Sequence, residues 1–161
     1  MGAAAGAAGA AAAGAAPAAA GLAAVAAAAA AAPDPTSLFN LFGLLPFAVR
    51  GVDPKIMGIG PKEAIPAALK VAGLTLNDMD WIELNEAFAA QSLAVIRDLD
   101  LDMSKVNPWG GAIALGHALG SSGTRLLTTM VNHLEATGGR YGLQTMCEAG
   151  GQANATILEL L

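Results

Sequence analysis

Apolar side chains recur at helical spacing in two parts of the chain. The first set precedes Gly73, a residue type that commonly ends helices, and predicts a helix that begins near Ile65 or Pro66, with Pro66 in its first turn. The second set predicts a helix over residues 121–136, which two glycines terminate. The apolar positions of the two helices are Ile65, Ala68, Leu69 and Ala72, and Leu126, Leu127, Met130, Val131 and Leu134.

Short apolar runs bounded by turn residues predict strands at residues 41–50, 81–84, 141–147 and 153–160. Pro46 argues against a central place for the first strand, because proline cannot donate to a ladder. A further helix is predicted over residues 86–98, and a strand that ends at Val106 and Asn107 is an open alternative. This order of elements predicts an α/β domain, in which helices cover a mixed sheet.

Residues 1–36 differ from the rest of the chain in composition. Residues 1–32 are almost entirely Ala and Gly, and two prolines follow directly. No larger apolar side chains recur there to form a buried face, which favours a low-complexity tail, a linker or a stretch whose side chains are poorly determined. The folded domain is therefore placed at residues 37–161.

Charge and cysteine content narrow the function classes. The net charge is −5 with only 8 Lys and Arg residues, so the chain lacks the basic cluster that nucleic-acid binding requires. The 55% hydrophobic fraction is inflated by alanine and does not indicate a membrane span. Cys147 is the single cysteine, which excludes an intrachain disulfide and fits a reducing compartment. No targeting signal is recognisable at the N-terminus, so a cytoplasmic location is favoured.

Three motifs carry candidate chemistry. Asn85 begins NEAFAAQ directly after a predicted strand, where it is either a helix cap or an amide directed into a ligand cleft. His117 lies in NPWGGAIALGHALGSSG, a run with five glycines within residues 110–123, and its imidazole is either structural or a base or hydrogen-bond donor. Cys147 begins CEAGGQ between two strands, where it is either a small buried apolar residue or a thiol whose thiolate nearby N–H groups favour.

The three motifs together resemble the C-terminal signatures of thiolases. NEAFAAQ, NPWGGAIALGHALGSSGTR and MCEAGGQANATI occur in the family's order, with 32 residues from Asn85 to His117 and 30 from His117 to Cys147. The GVDPKIMGIGP loop resembles the family as well. The resemblance covers roughly residues 41–161 and implies a thiolase-like C-terminal domain.

The resemblance implies a role for particular residues. His117 would activate the family's nucleophilic cysteine and help bind the thioester oxygen, and Asn85 would hold a water in the same oxyanion hole. Cys147 would be the acid/base residue at the α-carbon of the second acyl-CoA. The N–H of Ala149 would contribute to a second oxyanion hole, and Met57 and Phe88 would line the acyl and pantetheine pocket.

The implied activity is reversible thiolysis of 3-ketoacyl-CoA or Claisen condensation of acyl-CoAs. It needs no metal or cofactor, because the coenzyme A thioester is the substrate. Ala118 and Ala149 depart from a proline and a glycine of the family pattern, and the nucleophile belongs to an N-terminal half that residues 1–161 do not match. The expected partners are therefore acyl-CoA, CoA, and that half or a second copy. A non-catalytic subunit that binds acyl-CoA or serves a structural role is the alternative.

Overall fold

The computed structural model describes residues 42–161, with side chains from Phe47 onward. The Ala/Gly-rich tail assigned to residues 1–36, and the first residues of the predicted domain and strand up to Leu41, lie outside these described residues. The strands are β1 (Phe42–Gly51), β2 (Trp81–Leu84), β3 (Tyr141–Glu148) and β4 (Gln152–Leu160). The helices are α1 (Pro61–Ala72), α2 (Ala89–Asp98), the single turn α3 (Ala112–Leu115) and α4 (Ser122–Thr137). Two 3₁₀ turns lie at Pro54–Ile59 and Leu76–Asp78.

The four strands form one mixed sheet in the order β1-β4-β3-β2. β1 and β3 pair with β4 antiparallel, whereas β2 pairs with β3 parallel. β1 is an edge strand, as Pro46 predicts, and its pairing with β4 shifts register between Leu44 and Phe47, around that proline. The predicted α/β domain with a mixed sheet is thus confirmed.

Helices cover both faces of the sheet, because neighbouring residues of each strand project to opposite sides. Ile82 packs in a core with α1 and α2, whereas the adjacent Trp81 packs with α4. The first core also holds Ala64, Ile65, Ala68, Leu69, Leu84, Val95, Leu143, Ala153, Ala155 and Ile157. The second core holds Leu127, Met130, Leu134 and Leu158. The helical periodicities that the sequence displays therefore mark true core faces.

Two predicted helix starts are wrong. α1 begins at Pro61, not near Ile65, so Pro66 lies inside the helix and not in its first turn. Its ring projects from the exposed side of α1, where the cost is limited to one missing backbone hydrogen bond and the contact with the preceding turn. α2 begins at Ala89, not at residue 86, with Phe88 at the N-cap position.

The alternative of a further strand ending at Val106 and Asn107 is reduced to one bridge. Val106 makes a single parallel bridge to Ile82, on the side of β2 away from β3. Asn107 has a φ of 45°, which turns the chain out of the sheet plane. The segment therefore lies beside β2 without extending the sheet, and continues into the glycine-rich run.

Candidate active site

Asn85 and Cys147 lie at the same edge of the sheet. β2 and β3 run parallel, so their carboxyl ends meet there. The Asn85 N–H donates to the Thr145 carbonyl at 3.0 Å, which continues the ladder one residue beyond β2. Cys147 is two residues further along β3. The tertiary structure therefore brings together two residues that are 62 positions apart in the sequence.

Side-chain alternation directs these two residues to different faces of that edge. Trp81 is paired with Gly142, whose Cα is packed against α4, and Asn85 is in phase with Trp81. Cys147 is paired with Ala153, which lies in the core under α1 and α2. Among residues 42–161, no hydrogen bond joins any two of Asn85, His117 and Cys147. A ligand that contacts both Asn85 and Cys147 would therefore lie across the end of the sheet, not in a pocket on one face.

The Asn85 side chain is fully buried, and neither its Nδ2 nor its Oδ1 has a hydrogen-bond partner in the protein. A buried amide without partners carries a desolvation cost of about 1–3 kcal/mol. Such groups are rare in folded proteins and mark sites that polar ligands or waters satisfy. The helix-cap interpretation is wrong, because α2 starts four residues later with Phe88 at the N-cap.

Glu86 and Asn107 connect the glycine-rich run to this sheet edge. Both belong to the sequence motifs, but the sequence alone assigns neither a role. The Asn107 side chain bonds the Leu84 N–H at 2.9 Å and the Leu84 carbonyl at 2.8 Å, and it also donates to Glu86 Oε1 at 2.9 Å. The other oxygen, Glu86 Oε2, accepts the Ile113 N–H at 3.0 Å at the start of α3. We define these two side chains as the Glu86–Asn107 clamp. The sequence signal for such a turn residue is the Asn-Pro pair at residues 107–108, because Asn tolerates the positive φ of 45° that Asn107 adopts.

Gly111 leaves room for the Glu86 carboxylate of the Glu86–Asn107 clamp. A Cβ at this position would collide with the Glu86 carboxylate. The carboxylate thus lies directly against the backbone of residues 111–113 and satisfies one free N–H at the helix start. The clamp thereby fixes where the loop that carries His117 leaves the sheet.

His117 is half-buried in the loop between α3 and α4. Its Nδ1 lies 2.8 Å from Ser122 Oγ, and Ser122 is the first residue of α4. Gly116, just before it, has a φ of 92°, a conformation that favours glycine. The ring is therefore held by α4 through Nδ1, while Nε2 makes no hydrogen bond to the described residues.

The environment of Cys147 disfavours its thiolate form. Burial raises the pKa of its thiol. The nearby charge of Glu148 raises this pKa further, and only a backbone hydrogen bond lowers it. Of the two interpretations of Cys147, burial therefore disfavours the one in which nearby N–H groups stabilise the thiolate. A raised pKa makes the neutral thiol the resting form and suits a group that gives up a proton only when a base or substrate is present.

Ala149 lies in the exposed turn between β3 and β4. The two following residues, Gly150 and Gly151, each have a φ of 87°, whereas Ala149 does not need a positive φ. Alanine therefore fits where the family pattern has glycine. Gly151 leaves no room for a Cβ next to the Val52 carbonyl, and its own carbonyl accepts the Val52 N–H at 2.7 Å.

Met57 and Phe88 lie on adjoining segments. Met57 is half-buried in the 3₁₀ turn Pro54–Ile59, and a Cβ on Gly58 would meet Gln91 Cγ at 2.8 Å, so this turn packs closely on the first turn of α2. Phe88, directly before α2, is 64% exposed. The same turn also contacts β3. Both predicted pocket residues are thus placed near the sheet edge that carries Asn85 and Cys147.

Glu83 is a buried acidic residue that sequence reasoning did not single out. It is fully buried under α4, and its Oε1 accepts the Trp81 Nε1–H at 2.7 Å. Burial raises the pKa of this carboxyl to about 7, although the Trp81 hydrogen bond and Arg125 act in the opposite direction. Glu83 lies among three apolar residues of β2, and nothing in the sequence distinguishes it from an exposed strand glutamate.

Residues 42–161 contain no group of three His, Cys, Asp or Glu side chains arranged to hold a metal ion. Their helices also lack the combination of length and hydrophobicity that crossing a bilayer requires.

Comparison with known proteins agrees with the motifs. Residues 40–160 match the family described as thiolase, C-terminal domain. The chain is 62% identical over 115 residues to a 3-ketoacyl-CoA thiolase of Vibrio cholerae and 57% identical over 113 residues to the human mitochondrial 3-ketoacyl-CoA thiolase, with 70% of the chain covered in each case. It spans 30% and 28% of the length of these relatives.

Solved structures give the same result. The crystal structure of human mitochondrial 3-ketoacyl-CoA thiolase in complex with CoA superposes with a TM-score of 0.74 at 54% identity, over 75% of this chain and 31% of that one. The Bacillus anthracis acetyl-CoA acetyltransferase also superposes with a TM-score of 0.74, at 44% identity and with the same two coverages. The fold and the motifs define an α/β domain like those of the thiolases that it matches. The chain belongs to the thiolase family, as a C-terminal domain.

Proposed function

We propose that this chain supplies the C-terminal half of a thiolase-type catalyst. The reaction is reversible thiolysis of a 3-ketoacyl-CoA or Claisen condensation of two acyl-CoAs, with the CoA thioester as substrate and no further cofactor. The observation that carries the proposal is the sheet edge where the buried, partnerless amide of Asn85 lies beside the strand that bears Cys147. The relative crystallised with CoA supports the substrate class.

Each residue has a distinct part in this proposal. His117 accepts a proton at Nε2 from a nucleophilic cysteine and then donates to the thioester oxygen, while Asn85 contributes to the same oxyanion hole through a water. Such donors are most effective when they are fixed and desolvated before charge develops, and burial of the Asn85 amide provides the desolvation. Cys147 moves the proton at the α-carbon, next to the N–H of Ala149. Met57 and Phe88 line the path of the acyl and pantetheine groups.

The single cysteine favours a second candidate. Cys147 is already assigned to proton transfer, so the 161 residues contain no other thiol to form an acyl-enzyme. A domain of this kind can also bind acyl-CoA, or a partner chain, without turnover. We place this non-catalytic subunit second because three motifs that carry reacting groups are present in register.

A chimera distinguishes the two candidates. Residues 42–161 replace the corresponding segment of the Vibrio cholerae 3-ketoacyl-CoA thiolase, which then supplies the nucleophilic half. We expect thiolysis of acetoacetyl-CoA by the chimera and none by the isolated 161-residue chain. In the chimera, Cys147→Ala should still form the acyl-enzyme but should slow α-proton exchange of acetyl-CoA in D₂O by about 10²–10⁴-fold.

The neighbouring substitution Met146→Leu is the matched control, because it alters a buried side chain of similar volume on the other face of β3. It should leave both steps close to the rate of the parent chimera. Rapid thiolysis by the isolated chain, or unchanged proton exchange in Cys147→Ala, would contradict the proposal. An inactive chimera that still binds CoA would favour the non-catalytic subunit.

A further inference from the structure

Two short hydrogen bonds meet at the hydroxyl of Ser122. Its Oγ lies 2.8 Å from the Ala118 carbonyl oxygen and 2.8 Å from His117 Nδ1. Ser122 is buried, with 2% of its surface exposed, and its position is fixed as the first residue of α4. These contacts join the imidazole, the hydroxyl and the carbonyl in one chain of hydrogen bonds.

The number of available hydrogens determines which group donates in each of these two hydrogen bonds. A hydroxyl has one hydrogen to donate, and a carbonyl oxygen can only accept. At 2.8 Å, Ser122 Oγ and the Ala118 oxygen need that hydrogen between them, since two acceptors at this distance repel each other. The hydroxyl is then an acceptor toward His117, so the hydrogen between Oγ and the ring must be on Nδ1.

We infer that Ser122 is a positioning residue that holds neutral His117 in the tautomer protonated at Nδ1. The hydrogen bond at one ring nitrogen decides which nitrogen carries the proton. Nε2 then keeps its lone pair and can accept a proton. The opposite tautomer would present Nε2–H and could not act as a base at that atom. The catalytic value of this arrangement rests on the function proposed for His117, but the tautomer itself does not.

The tautomer can be measured on the chain itself. With ¹⁵N-labelled histidine, the nitrogen shifts separate protonated from unprotonated ring nitrogens, in solution or in the solid state if the chain self-associates. The chain has two histidines, and His117→Asn identifies the signals of His117 by their loss. For the neutral ring of His117, we expect a protonated Nδ1 and an unprotonated Nε2.

Three serine variants test whether the Ser122 hydroxyl sets the tautomer of His117. Ser122→Ala should shift the population toward Nε2–H, and Ser122→Thr, which keeps a hydroxyl, should retain the parental tautomer. Ser121→Ala is the control, because this adjacent serine is exposed and makes no capping hydrogen bond. A parental chain with mainly Nε2–H, or a Ser122→Ala spectrum identical to the parental one, would overturn the inference.

The chimera separates this inference from the proposed function. There Ser122→Ala should lower the acylation rate about ten- to hundredfold, because a misplaced reacting group loses rate on this order, and Ser122→Thr should restore it. If the tautomer shifts in Ser122→Ala while the parental chimera is inactive, the role of Ser122 stands and the proposed function fails. If the chimera is active and its acylation rate is unchanged in Ser122→Ala, the catalytic role of Ser122 fails and the proposed function stands.

Discussion

Glu83 shows how strongly a single buried side chain can respond to its surroundings. It lies in a row of fully or nearly fully buried polar side chains on the α4 face of the sheet, where it is paired across the ladder with Gln144, and Gln144 with Thr156. Its Oε2 has no hydrogen-bond partner in the protein. Loss of hydration disfavours the charged form, which is the cause of its raised pKa.

This raised pKa predicts a dependence of stability on pH. The folded chain binds the Glu83 proton up to about pH 7, whereas the unfolded chain releases it near the ordinary value of 4.5. The stabilisation is therefore complete below about 4.5 and is lost as the pH rises through about 7. The free energy of unfolding should fall by about 3 kcal/mol across this window on account of this group.

Glu83→Gln should remove that loss, because an amide cannot ionise and its oxygen can still accept the Trp81 hydrogen bond. Denaturant unfolding at pH 5 and pH 8 measures the difference between variant and parent. We expect the variant to be the more stable protein at pH 8 and to show the flatter profile. Glu135→Gln, on the exposed side of α4, is the control and should follow the parental profile. Parallel profiles for the parent and Glu83→Gln would refute the buried-carboxyl account.

At the scale of elements, the Glu86–Asn107 clamp connects the end of β2 to the start of α3. α3 is one turn long, so its own hydrogen bonds cannot hold it in place. The Glu86 carboxylate bonds its Ile113 N–H and the Asn107 amide, and Asn107 in turn bonds both backbone groups of Leu84. The loop with His117 thus depends on two side chains that lie outside it.

Glu86→Ala should loosen this loop. Loss of a hydrogen bond to a charged group costs about 1.5–3 kcal/mol, so the amides of residues 110–116 should exchange with deuterium at least about tenfold faster. Exchange followed by mass spectrometry measures this directly. Glu63→Ala, an exposed position in α1, is the control and should leave those amides unchanged. Equal exchange in Glu86→Ala and the parent would show that α3 is held by other contacts.

At the scale of the molecule, the glycine-rich segment presents large apolar side chains to solvent. Leu119 is 77% exposed, Ile113 66%, Leu115 55% and Trp109 51%. Phe88, at the N-cap of α2, and Leu93 within α2 are exposed as well. Several large apolar side chains exposed in one short segment commonly mark an interaction surface. This is the surface on which we expect an N-terminal thiolase half, or a second copy, to pack.

The chain should therefore self-associate, and an added N-terminal half of a related thiolase should compete with that association. Light scattering across a concentration series measures the mass, with 15.9 kDa expected for the monomer. Leu115→Glu combined with Leu119→Glu should shift the population toward monomer, because burying the two carboxylates is costly. Val71→Glu, an equally exposed position on α1, is the control. A parental chain that remains monomeric at high concentration would contradict this prediction.

Much of the fold could be predicted because local patterns determine it. The limits of β2 and the buried faces of α1 and α4 agree with the spacing of apolar residues, and glycines end both helices as predicted. The start of α1 was missed because Pro66 favours a first turn, while packing of Pro61 and Ala64 into the core extends the helix by another turn. Tertiary burial there outweighs one lost backbone hydrogen bond.

By itself, the sequence determined the order and type of the elements, the motifs of the thiolase C-terminal domain, and the three residues that the motifs single out. These properties depend on residue type and on spacing along the chain. Only the tertiary structure decided that Asn85 lies beside β3 at the edge with Cys147, that Glu83 is buried and Glu135 is not, and that Ser122 and the Glu86–Asn107 clamp hold the loop of His117. Strand pairing and burial create these properties, because the solvation and hydrogen bonds of a side chain depend on neighbours that are distant in sequence.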